Sequence, residues 1–109
     1  VDEREREGIR MIVKEVIDEL IRDGMLREAS SMAYTEISAK IKAYYSRGQK
    51  DEEMKKAISA VEEDKYFKII PLYFYYGYTI EEIAETFEVE TSTIVRNKKR
   101  LCLEIYGKL

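Results

Sequence analysis

A chain of 109 residues, 45% of them hydrophobic, has material for one modest core and excludes a second independent domain. With 38% charged residues and a formal net charge of -3, it carries an ordinary mixed surface, so any charge suited to phosphate must be local. Cys102 is the single cysteine and histidine is absent, which excludes an intramolecular disulfide, leaves too few soft ligands for a zinc site, and points to a reducing, cytoplasmic setting with no cofactor.

Ile9, Ile12, Val13, Val16, Ile17, Leu20 and Ile21 recur at spacings of three and four, predicting a first helix that Asp23-Gly24 ends. Arg10, Lys14, Glu15, Asp18 and Glu19 within it exclude a signal-peptide core and a membrane span. Its stripe fits an intramolecular core helix and a dimer seam equally well. A second helix is predicted over 31–46, burying Met32, Ala33, Ile37, Ile41, Tyr44 and Tyr45, with Arg47-Gly48-Gln49 as its end. Asp51 then caps a third, whose apolar face is Met54, Ala57, Ile58 and Val61. Between residues 66 and 76 the chain is rich in aromatics, and Pro71 should kink or restart the helix there. No strand alternation persists. The expected fold is all-α with about six helices, in which an N-terminal helical region, 1–50, packs with a C-terminal region, 51–109.

Gly77-Tyr78 breaks the aromatic segment, and Thr79 with Glu82 forms a capping box for a short helix over 80–87, with Ile83, Ala84 and Phe87 facing inward. Glu88-Val89-Glu90 connects it to a helix opened by the hydroxyls of Thr91, Ser92 and Thr93. Ile94, Leu101 and Ile105 repeat on one face of that helix; Ser92, Arg96 and Lys99 lie on the other. Residues 91–100 hold Arg96, Lys98, Lys99 and Arg100 and no acid, a local charge of +4. A short helix, a tight turn and a second helix with such a start suit major-groove docking. Thr91 and Ser92 are then expected at base edges, Arg96 at guanine acceptors or a phosphate, and Lys98, Lys99 and Arg100 at phosphates. Glu81, Glu82 and Glu85 on the preceding helix oppose phosphate and imply weak affinity for a monomer. Tyr66, Tyr73, Tyr75, Tyr76 and Tyr78 fit core packing rather than base stacking, with Tyr75 the one left outside. Cys102 reads as a packing residue. Without histidine, a base for Cys102 or a glycine-rich phosphate loop, the sequence offers no catalytic apparatus.

The segment Tyr73-Phe74-Tyr75-Tyr76-Gly77-Tyr78-Thr79-Ile80-Glu81-Glu82-Ile83-Ala84-Glu85-Thr86-Phe87 resembles the first part of sigma factor region 4, and Val89-Glu90-Thr91-Ser92-Thr93-Ile94-Val95-Arg96 resembles that family's second helix. Together they are most similar to small phage and prophage regulators of the ArpU and RinA type, over about residues 60–105. The resemblance implies a sequence-specific double-stranded DNA-binding transcriptional regulator, with Thr91, Ser92, Arg96, Lys99 and Arg100 facing DNA and Ile83, Ala84, Val89, Ile94 and Leu101 in the core. RNA polymerase and a second copy of the chain are the candidate protein partners. Glu88 departs from the family's usual turn glycine, at a cost of about 1 kcal/mol if it is left-handed. Residues 1–50 hold no recognisable core-promoter-binding region, so a complete conventional sigma factor is excluded. A protein-interaction module remains the alternative, motivated by 12 cations against 16 anions in residues 1–64; a phage DNA-packaging recogniser is a third.

Overall fold

The computed structural model describes residues 27–109. The predicted helix over 9–21, its stop at Asp23-Gly24 and the choice between core helix and dimer seam lie outside them. By internal contact the chain divides into two units, Val1–Met32 and Ala33–Leu109. Of the first, only residues 27–32 are described, as the opening turns of a helix.

The described residues are all-α, with five helices: α1 (Arg27–Ser46), α2 (Glu52–Ser59), α3 (Ile69–Phe74), α4 (Ile80–Phe87) and α5 (Thr91–Lys108). No helix among them is long and apolar enough to cross a membrane. On α1, Ile37, Ile41 and Tyr44 are buried at helical spacing, whereas Met32, expected in the same stripe, is 73% exposed. Five residues separate Met32 from Ile37, which turns it about 140° away from the buried face. The helix ends where Gly48 and Gln49 both take positive φ, and the Gln49 N–H donates to the Tyr44 carbonyl at 3.0 Å.

Asp51 caps α2 as its position suggested, its Oδ1 accepting from the Glu53 and Met54 amides at 3.1 and 3.2 Å. Val61 is buried, but from a turn beyond the helix. Residues 61–68 continue as linked turns in which Val61, Asp64 and Phe67 each donate to the carbonyl three residues back, and Ile70 at the start of α3 does the same. The aromatic segment is therefore not one helix. Pro71 stands at the third residue of α3, where an amide has no intrahelical acceptor to lose, so it helps restart the helix without kinking one.

Two apolar clusters form the core. The larger joins Ile37, Ile41 and Tyr44 of α1 to Met54, Ala57 and Ile58 of α2, Ile70 of α3, and Leu101, Cys102 and Ile105 of α5. The smaller holds Ile69, Ile83, Ala84 and Ile94. α5 enters both, through Ile94 in one and Leu101 in the other. The larger cluster draws on residues from both sides of position 50, joining α1 to α2, α3 and α5.

Candidate nucleic-acid interface

The approach to α5 is fixed by local chemistry at both ends of α4. Thr79 Oγ1 accepts from the Glu82 amide at 3.1 Å while Glu82 Oε1 accepts from the Thr79 amide at 3.0 Å, completing the capping box. Ile83 and Ala84 then face α5 and its cluster. At the other end Glu88 is left-handed (φ 57°, ψ 45°). Its N–H donates to the Glu85 carbonyl at 3.1 Å and that of Val89 to Ala84 at 3.0 Å, the paired bonds of a Schellman turn. The conformation usually given to glycine is thus borne by a glutamate. Thr91, Ser92 and Thr93 fall inside the first turn of α5, and Glu90 takes the cap position with no side-chain cap bond.

On the outer face of α5, Thr91, Ser92, Val95 and Arg96 are exposed and Lys99 half-buried, and with Arg100 and Leu103 they line a shallow groove of about 740 Å³. Four of the six predicted interface residues, Thr91, Ser92, Arg96 and Lys99, are thereby brought onto one outward surface. Sequence reasoning missed Val95, 54% exposed between Ser92 and Arg96. Its signal was an apolar residue standing three positions after Ser92 on the polar face.

Of the other two predicted phosphate ligands, Lys98 is buried, which corrects its place, and Arg100 is at the surface but already paired. Lys98 is 8% exposed, its Nζ 2.6 Å from Tyr34 Oη and 3.7 Å from the centre of the Tyr73 ring. It follows Ile94 by four residues and precedes Leu101 by three, which puts it on the buried face. Arg100 lines the outward groove with its side chain 39% exposed, but its guanidinium is engaged in a forked pair to Asp64, Nη1 to Oδ2 at 2.9 Å and Nη2 to Oδ1 at 3.1 Å, with Glu104 Oε1 3.1 Å from Nη1 and Asn97 Oδ1 accepting from Nε at 3.2 Å. The guanidinium's hydrogen bonds hold the Asp64 carboxyl below its usual pKa. Of the four cations in 91–100, only Arg96 and Lys99 therefore carry charge outward without a carboxylate partner among the described residues.

Acids flank this surface. Glu81, Glu85, Glu88 and Glu90 are exposed and, with Thr91 and Ser92, line an adjoining groove between α4 and the start of α5. Cys102 is buried, and burial pushes its thiol up to about 11 against the lowering influence of Lys98, which leaves it a packing residue. Tyr66 packs on Phe87, and Tyr73 against the smaller cluster. Tyr75, Tyr76 and Tyr78, however, are 52%, 68% and 38% exposed and form a ridge of successive ring contacts, so three tyrosines stand outside rather than Tyr75 alone. Gly77, with φ of 71°, stands between Tyr76 and Tyr78 in the loop that follows α3.

No family model matches the chain, and no curated protein or solved structure matches it.

Proposed function

We propose that the protein is a sequence-specific double-stranded DNA-binding transcriptional regulator of the small phage or prophage type, with α4, its turn and α5 acting as a helix-turn-helix. The observation that carries this reading is the outward face of α5, which presents two hydroxyls, an aliphatic side chain and two outward cations within three turns of a helix start. In the major groove Thr91 and Ser92 meet base edges first. Val95 offers an apolar contact to a thymine methyl, Arg96 reaches guanine acceptors or a phosphate, and Lys99 a phosphate. Two outward cations beside four exposed glutamates make a weak monomer. Paired half-sites bound by two copies would raise affinity through effective concentration.

Fluorescence anisotropy on a pool of random duplexes across a salt series tests the reading. Arg96→Ala with Lys99→Ala should weaken binding and flatten the log-affinity against log-salt slope by roughly 2, about 0.9 for each phosphate no longer neutralised. Unchanged affinity and slope would overturn it.

A second reading is favoured by the exposed ridge of Tyr75, Tyr76 and Tyr78 and the acids of α4: the domain docks on a protein of the transcription machinery. Failure of the chain to be retained by heparin or duplex DNA at low salt would favour that reading.

A further inference from the structure

Lys98 is an ammonium more than nine-tenths buried among rings, with its Nζ 3.7 Å from the Tyr73 ring centre and 5.6 Å from that of Phe74. No carboxylate among the described residues pairs with it; the ion pairs there are Lys40 with Glu36 and Arg100 with Asp64 and Glu104. Ring faces and one hydrogen bond offset part of the desolvation of a buried charge but supply no opposite charge. Beside it opens a groove of about 790 Å³ between α1 and the segment joining α3 to α4. Tyr34 and Ser38 line it from α1, and Tyr73, Phe74, Tyr75 and Tyr78 from the other side.

The donors at this end of the groove are incompletely used. An ammonium has three N–H groups, and one goes to Tyr34. The Tyr34 hydroxyl, accepting that bond, keeps its own proton to donate. The covered Ser38 hydroxyl has no hydrogen-bond partner of sound geometry among the described residues; the Cys102 thiol beside it is at best a weak one. Cationic and hydroxyl donors at the floor with aromatic walls are complementary to a flat apolar body ending in one anionic group, and the volume is that of a small-molecule site.

We propose that this groove binds a small aromatic carboxylate, its carboxylate on the Lys98 ammonium and Tyr34 hydroxyl and its ring between the aromatic walls. The site is independent of duplex recognition, because the side chains that form it lie on the opposite side of α5 from Arg96. Titrating the full chain with benzoate and with indole-3-acetate, followed by NMR, should give saturable shifts at Tyr34, Tyr73 and Lys98 and intermolecular contacts from the ligand ring to the Lys98 ε-methylene. Benzamide, which keeps the ring and loses the charge, should bind at least about tenfold more weakly. Lys98→Met fills the same volume without the ammonium, and should keep the thermal midpoint while benzoate affinity falls at least about tenfold. Equal binding of benzamide and benzoate, no saturable shift at millimolar ligand, or shifts centred on Arg96 and Lys99 in both proteins would overturn the proposal. Should Lys98→Met not fold, presence or absence of the ligand contacts to the Lys98 ε-methylene in the unsubstituted chain decides it.

Discussion

Along α5, Arg96 is exposed and Lys99 half-buried on the outer face, whereas Lys98, next to Lys99 in sequence, is buried among aromatic rings, and Arg100 on the other side of Lys99 is partly exposed but paired with an aspartate. Each residue advances about 100° around a helix, so a run of cations is divided among opposite faces before any ligand arrives. The charge of +4 counted along residues 91–100 becomes two outward cations beside four exposed glutamates. What attracts a polyanion is the unpaired charge left at the surface, and that is smaller than the sum along the chain.

The contrast between the two faces is broken most forcefully from the inside. Leu101 is fully buried in the larger cluster, and Leu101→Ala should cost about 3 kcal/mol of stability by urea denaturation, from the missing transfer free energy and the cavity left behind. A cost below about 1 kcal/mol would mean that α5 does not carry the core. The next largest effect separates two cations. Lys98→Ala removes a packed stem and its ring contacts, and should destabilise the fold by about 1–2 kcal/mol. Arg96→Ala should stay within about 0.5 kcal/mol, as exposed substitutions do. Equal costs would erase the distinction between the faces.

Much of this was legible in the sequence wherever one residue's chemistry determines a local bond. Asp51 and Thr79 act as caps, Glu82 closes its box, and Ile83, Ala84, Ile94 and Leu101 are buried where periodicity put them. In the aromatic stretch the restart at Pro71 was legible, but the three-residue turns over 61–68 that precede it were not, because no periodic apolar face or capping residue marks them. The partners of Lys98 and Arg100 were hidden for a different reason. Tyr34 is 64 residues away and Asp64 is 36, distances over which sequence pattern carries no register. Position 98, between Ile94 and Leu101 on the apolar face, was nonetheless a readable warning. The Val95 exposure was readable too, from its place among Ser92, Arg96 and Lys99.

The turn joining α4 to α5 sharpens the same comparison, since it determines where the outward face begins. Glu88→Gly relieves a left-handed glutamate at about 1–2 kcal/mol, offset by the greater freedom glycine has in the unfolded chain. The expected net gain is about 0.5–1 kcal/mol, read as a higher urea midpoint at unchanged slope. A loss would show that the Glu88 side chain contributes more than its backbone strain costs.

The smallest expected effect concerns pH and the Arg100 fork. Asp64 has its pKa lowered, first by hydrogen bonding to Arg100 and then by the Tyr66 amide, which donates to Oδ1 at 2.9 Å. A carboxyl depressed in the folded state favours folding at pH values above the unfolded value near 3.9, and that contribution disappears as pH falls through the depressed value. Both side chains of the pair are partly exposed, so its contribution should be under about 1 kcal/mol. Urea midpoints measured from pH 7 to pH 3 should therefore fall slightly more for the unsubstituted chain than for Asp64→Asn, which keeps an acceptor for the Tyr66 amide but has no charge to lose. Parallel curves would show that the Asp64 charge contributes no pH-dependent stability, and would leave Arg100 free to join Arg96 and Lys99.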